Sequence, residues 1–172
     1  MKRVIKGALP YIIIIVVVLL IKQFVLTTVR VDGDSMLDTL EDNDIMLLDR
    51  VSHHFTGVKR FDIVVVHHDN DELIKRIIGL PGDTIRYTDN KLYVNDEEVA
   101  EPFLTKKTQD FSLSDLGIDK IPEGKYFVMG DNRNHSMDSR DPGVGVLTRK
   151  DLIGRAWVRI YPFDNIGVIR HE

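Results

Sequence analysis

An uncharged run of fifteen residues near the N-terminus, Gly7 to Ile21 (GALPYIIIIVVVLLI), constrains this chain more than any other feature. Lys2, Arg3 and Lys6 precede it and Lys22 follows it. As a helix the run rises only about 22 Å against a hydrocarbon core of roughly 30 Å, so a membrane span is expected to continue through Gln23, Phe24, Val25 and Leu26 while Lys22 snorkels. A basic start and a short apolar stretch also fit a cleavable export signal. The following KQFVLTTVRV has no small-x-small pattern, which favours a retained anchor. The N-terminal basic residues keep that end inside. Residues 1–28 therefore read as a cytoplasmic N-terminus and a transmembrane anchor, and residues 29–172 as an extracytoplasmic domain. The expected location is the cell membrane, in a single pass, with phospholipid as a partner.

A chain of 172 residues has room for one compact domain beside the anchor. The net charge of -4 offers no broad basic field, which argues against nucleic acid. With no cysteine, a disulfide framework, a thiolate zinc site and a cysteine nucleophile are all excluded. Short β-branched runs bounded by turn residues predict strands over Asp44 to Leu48, Phe61 to Val66, Leu73 to Gly79, Tyr126 to Met129 and Ala156 to Tyr161. Weak helical periodicity occurs only near Thr39 to Asp42 and in Leu147 to Ile153, so the fold class is mostly β. The segment 84–122 differs. It opens with a hairpin signal, Asp89-Asn90 between alternating strands, and continues as poorly patterned polar sequence. It reads as an insertion between two blocks, 29–83 and 123–172, that close one core.

Ser35 follows a short apolar strand in Val31-Asp32-Gly33-Asp34-Ser35-Met36, where Gly33 permits an unusual backbone beside it. A nucleophile on a tight turn fits, and so does a helix cap, because Asp38 stands three residues later. In Glu72 to Ile78, strand alternation puts Lys75 on the face of Leu73 and Ile77, and Arg76 on that of Ile74 and Ile78. One cation must face apolar company. Periodicity does not say which, but only lysine can lose its proton and act as a base. That requires lowering its ordinary pKa by roughly 2 to 3 units, costing about 3 to 4 kcal/mol, and burial against Leu73 and Ile77 supplies a cause. The other reading is a solvated lysine on a sheet edge. A third stretch, Gly130 to Arg140 (GDNRNHSMDSR), is dense in hydrogen-bonding groups. Asp138 and Arg140 can pair there and Ser136 can orient an amine, or the stretch is a polar surface turn. Adjacent histidines at His53-His54 and His67-His68 point to opposite strand faces and have no carboxylates at ligand spacing, so no metal site is expected.

Together, GDSM at Gly33 to Met36, KRIIGLPGD at Lys75 to Asp83 and GDNRNHSMDSR at Gly130 to Arg140 resemble the bacterial type I signal peptidases, in the family's order and behind an anchor. The resemblance covers nearly the whole chain and favours the compact Gram-positive type. It implies a β-rich catalytic domain with a small inserted β segment, formed by the two core blocks around 84–122. It also implies a serine endopeptidase that removes signal peptides from secretory preproteins after Ala-x-Ala-like sites, without a cofactor and as a monomer. By position, Ser35 becomes the nucleophile and Lys75 the base. Ser136 orients Lys75, while Asp131, Asp138 and Arg140 hold the geometry, and Met36 and Leu40 line the substrate groove. Two positions depart from the family. Asp38 stands where relatives carry a proline, which is expected to loosen the Ser35 loop. Gly33 stands where some relatives carry an oxyanion-binding hydroxyl, leaving the Ser35 N–H as one donor. A self-cleaving repressor-type protease shares this chemistry but would carry a DNA-binding domain in place of the anchor. A catalytically dead relative that binds preproteins would not need both Ser35 and Lys75.

Overall fold

The computed structural model describes residues 9–18 and 26–169. Residues 9–18 form a helix, α1, whose apolar side chains are exposed along its length. Among the described residues no helix is long and apolar enough to cross a membrane. The rest of the expected span, 7–8 and 19–25, lies outside them. At its C-terminal end that span is corrected. Leu26 already belongs to a strand, β1 (Leu26–Arg30), registered on Asp49, because the β-branched sequence LTTVR suits a sheet edge better than a helix.

The chain then runs through β2 (Ile45–Asp49), a short helix α2 (Ser52–Thr56), β3 (Ile63–His68) and β4 (Asp71–Gly79). A second group follows: β5 (Ile85–Thr88), β6 (Lys91–Val94), β7 (Glu97–Val99) and β8 (Phe111–Ser112). It returns through β9 (Lys125–Met129), β10 (Leu147–Thr148), β11 (Leu152–Tyr161) and β12 (Gly167–Val168). The large sheet has the order β1-β2-β11-β3-β4-β9-β10, with β12 on β11, and the small sheet has the order β7-β6-β5-β8. The five runs picked out in the sequence all become strands, within a few residues at their ends. Neither weak helical signal becomes an α-helix. Residues 39–42 form turns, and 147–153 form β10, a single turn of 3-10 helix over Arg149–Asp151, and the start of β11. Asp151 closes that turn by accepting from the Thr148 N–H at 2.6 Å and its hydroxyl at 2.8 Å, a local bond that outcompetes helical periodicity.

The valine-rich β3 is buried on both faces, which explains its unbroken apolar run. Ile63 and Val65 pack with Val31, Met36, Leu40, Met46 and Leu48 on one side, while Val64 and Val66 pack with Ile77, Val128 and Leu152 on the other. The small sheet is not a separate body. Ile85, Tyr87, Leu92 and Leu113 share a core with Ile78, Phe127 and Met129 of the large sheet. Its hairpins turn at Asp89-Asn90 (φ 51 and 65) and at Asn95-Asp96 (φ 53 and 67), the positive-φ pairs that two-residue hairpins demand. The turn Leu80-Pro81-Gly82-Asp83 carries the chain into this sheet. Gly82 supplies φ 85, and the Asp83 carboxylate accepts from the Leu80 N–H at 2.7 Å, Arg60 at 3.0 Å and Asn95 at 2.9 Å. The LPGD stretch thus braces the turn that leads into the small sheet.

Gly79 marks the crossing point. A Cβ there would lie 2.2 Å from Ile121 Cδ1 and 3.1 Å from Phe127 Cβ. Gly79→Ala is expected to destabilise the fold by about 1–3 kcal/mol, read as a lowered midpoint in urea unfolding. An unchanged midpoint would mean that the two sheets are not held this closely.

Candidate active site

Ser35 sits in the loop between β1 and β2, which is closed at its base by Val31 N–H to Asp44 O (2.8 Å) and Asn43 N–H to Val31 O (3.0 Å). Gly33, at φ 93, turns the chain and donates its N–H to Asp42 at 3.0 Å. The residues after Ser35 bend into a turn with Thr39 and Leu40 N–H groups on Met36 O, both at 2.9 Å. Met36 (1 % exposed) and Leu40 (0 %) are the pegs that seat this loop in the core. That corrects the placement of Leu40 in a substrate groove: its side chain is spent on the core. Met36 does form part of the wall of the cavity next to Ser35.

Lys75, on β4, is 2 % exposed, and its Nζ lies 2.7 Å from Ser35 Oγ. It shares a strand face with Ile77 and Leu73, which pack in one cluster, so the apolar surroundings anticipated from alternation are present. Arg76 is also buried, at 0 %, so both cations of the strand leave water, where one alone was expected to. The resolution lies in partners. Arg76 donates to both carboxylate oxygens of Asp131, at 2.9 and 2.7 Å, and to Phe61 O at 3.0 Å, while Thr39 Oγ1 donates to the same carboxylate at 2.6 Å.

Asp131 is the second residue of the third stretch, just after β9. Asn132 donates its N–H to Ser35 O at 3.0 Å and its Nδ2 to Asp34 O at 3.0 Å, which clamps the backbone on either side of the Ser35 Cα. Arg133 turns away to Glu101 (2.6 Å), Tyr87 (2.8 Å) and Gly130 O (3.0 Å). Asp138 and Arg140 form the anticipated bidentate pair, both bonds 2.8 Å, and Asp138 also accepts the Gly130 N–H at 3.0 Å. Gly130 lies where any side chain would collide: a Cβ would come within 2.3 Å of Ser136 Oγ and 2.4 Å of Ser35 O. Ser136 is brought to the site, but its buried hydroxyl makes no hydrogen bond to Lys75 among the described residues. Arg76, Thr39 and Asn132 were missed in the sequence as site residues. The signal for Arg76 was available in the demand of a buried Asp131 for a fork-shaped donor.

Electrostatics follow from this geometry. Burial pulls the Lys75 pKa down to about 8, against the opposing charges of Asp138 and Asp131, which favour the ammonium, and with the help of Arg140. Burial works to raise the Asp138 carboxyl. The Arg140 guanidinium, the Gly130 N–H and the nearby Ser136 hydroxyl outweigh it and hold the group below the usual carboxylate range. Lys75 thus has a reachable neutral form next to a hydroxyl. No group of three or more potential metal ligands occurs among the described residues.

A family model described as signal peptidase, peptidase S26, matches residues 2–161. The chain belongs to this family. It is 41% identical over 169 residues to a signal peptidase I of Bacillus amyloliquefaciens, covering 95% of this chain and 91% of that one. Signal peptidase I V of Bacillus subtilis (strain 168) is 44% identical over 151 residues, covering 81% and 89%. A crystal structure of a signal peptidase I from Enterococcus faecalis V583 superposes with a TM-score of 0.53 at 35% identity, over 57% of this chain and 95% of that one. The β-rich fold is therefore that of a signal peptidase I.

Keeping Lys75 dry costs stability. Its pKa is lower in the folded than in the unfolded chain, so at pH 7, below both values, the fold bears the full penalty, about 3 kcal/mol, and the penalty vanishes as pH rises from about 8 past 10.5. Lys75→Met is expected to be more stable than wild type by up to about 3 kcal/mol at pH 7, the gap closing between pH 8 and 10.5 in paired urea titrations. A gap independent of pH would show that Lys75 carries no such penalty.

Proposed function

We propose that this type I signal peptidase, a serine endopeptidase, cuts its substrates with Ser35 as nucleophile and Lys75 as general base. The observation that carries the reading is the 2.7 Å approach of a buried lysine amine to a serine hydroxyl. Neutral Lys75 takes the Ser35 proton as the serine attacks the scissile carbonyl. The resulting ammonium returns that proton to the leaving amine. A water molecule, deprotonated by Lys75 in turn, then releases the acyl group. The Ser35 N–H serves as one donor to the oxyanion. Asp131, Asp138 and Arg140 hold the frame, and Ser136 supports the amine once substrate shapes the site.

A cavity of about 120 Å³ that Ser35 and Lys75 themselves line has Val29, Val31, Met36, Leu73 and Ile74 as its apolar wall, with Arg30, Asp32 and Glu72 completing the lining. It suits a small apolar side chain, consistent with cleavage after Ala-x-Ala-like sites in secretory preproteins. Two strand edges border it. β1 is the terminal strand of its sheet, and residues 71–75 of β4 pair with β3 on one side while β9 begins its pairing only at Arg76. An extended peptide laid between these edges gains main-chain hydrogen bonds and presents alternate side chains to the cavity. The exposed apolar helix α1, ahead of β1, supports an anchor that keeps the N-terminus cytoplasmic and the domain outside, against phospholipid and near membrane-held substrates. The chain works as a monomer, without a cofactor.

Cleavage of a purified preprotein in detergent by wild type is expected to rise with pH to a plateau, with a midpoint of about 8. Ser35→Ala and Lys75→Arg are expected to lose at least about a hundred-fold in kcat, the latter because arginine keeps its proton. Unimpaired cleavage by Ser35→Ala would overturn the reading.

A further inference from the structure

The segment 101–108 of the insertion is a strap tied at both ends. At one end Glu101 accepts from Arg133 (2.6 Å) and from the Tyr87 hydroxyl (2.9 Å). At the other, the Thr108 N–H donates to Asn90 at 2.7 Å, and the Thr108 hydroxyl accepts from Arg133 at 2.9 Å. Between these ties the strap contacts each of the three segments that build the site. The Phe103 ring lies on the Arg76 guanidinium, 3.7 Å from its carbon to the ring centroid, and meets Phe61 edge-on at 5.1 Å. The Thr105 hydroxyl donates to Asp38, three residues beyond Ser35. Lys106 Nζ donates to Asn132 Oδ1 at 3.3 Å, on the side chain whose Nδ2 holds Asp34 O.

We propose that Phe103 and Thr105 of this strap are positioning residues that hold the Ser35 loop in register with Lys75. The inference rests on the reading of Ser35 and Lys75 as the reacting pair. Phe103 covers the cation that fixes Asp131, and Asp131 in turn takes the Thr39 hydroxyl of the Ser35 loop, so the ring restrains that loop through two rigid, charge-assisted links. Thr105 acts directly on the loop, through its bond to Asp38 three residues beyond Ser35. A shift of the serine of an ångström or less leaves substrate binding in the groove largely intact while spoiling attack geometry, so the effect falls on kcat.

The test is steady-state cleavage of a preprotein by the full chain in detergent, alongside thermal unfolding. Phe103→Ala is expected to lower kcat on the order of ten- to a hundred-fold, and Thr105→Val about two- to ten-fold, with KM within about two-fold of wild type. Phe103→Tyr and Thr105→Ser, which keep the ring and the hydroxyl, are expected to restore kcat. Thr105 is exposed, so its variants decide the matter if Phe103→Ala fails to fold. Wild-type kcat in Thr105→Val and in any folded Phe103→Ala, or a change confined to KM, overturns the proposal. Ser35→Ala is run in parallel. If it is inactive while the strap variants behave as wild type, only the strap inference falls; if it is active, the underlying reading falls with it.

Discussion

The site depends on the buried fork between Arg76 and Asp131. It joins the middle of the large sheet to the loop after β9, and through Thr39 it also takes hold of the Ser35 loop, so three distant stretches of sequence meet on one carboxylate. Both partners are essentially removed from water, at 0% and 1% side-chain exposure. An ion pair this dry adds little net stability, because desolvation offsets most of the attraction. What it adds is geometry, since a bidentate guanidinium–carboxylate contact tolerates little rotation. Loss of either partner would leave an uncompensated charge in the core.

Adjacent positions on one strand put two cations to opposite uses. Arg76 cannot lose its proton, so it enters the core only with a full set of acceptors, and it finds them in Asp131 and Phe61 O. Lys75 enters with fewer. Its nearest polar neighbour is a neutral hydroxyl, and the two carboxylates that most favour its ammonium are already bound, Asp131 by Arg76 and Asp138 by Arg140, which leaves Asp34 as a weaker third. Desolvation therefore dominates and the amine becomes available near neutral pH. The two guanidinium pairs serve the lysine by keeping these carboxylates from pairing with it.

Much of this was legible before any coordinates. Strand alternation placed Lys75 with Leu73 and Ile77, the Asp89-Asn90 turn announced its hairpin, and the Asp138–Arg140 pair could be read from spacing. Contacts across long separations were less accessible. Whether Arg76 or Lys75 is buried has no answer in a period-two pattern when the sheet is covered on both faces, and here both are. Leu40 illustrates the reverse error. The family resemblance implied a place in the groove, yet a loop this tight needs anchors, and Leu40 and Met36 are those anchors. The Asn95-Asp96 turn was overlooked because strands of three or four residues show too little alternation to stand out from polar sequence.

The inserted sheet then acquires a structural reason to be where it is. Its strands share a core with Phe127 and Met129, the strand that leads directly into Gly130 and Asp131, so the small sheet and the site are built on the same strand. From that platform the 101–108 segment reaches back over Arg76 and Asn132. A buried amine with a depressed pKa pushes toward any conformation that rehydrates it, and a loop seated by two core side chains and a few hydrogen bonds is the easiest part to yield. Bracing from the inserted segment, whose sheet shares a core with the large one, opposes that tendency. Phe103 does this with a neutral ring. The brace nearest the serine, Thr105 on Asp38, uses a carboxylate at the exposed surface, where water screens its field from Lys75.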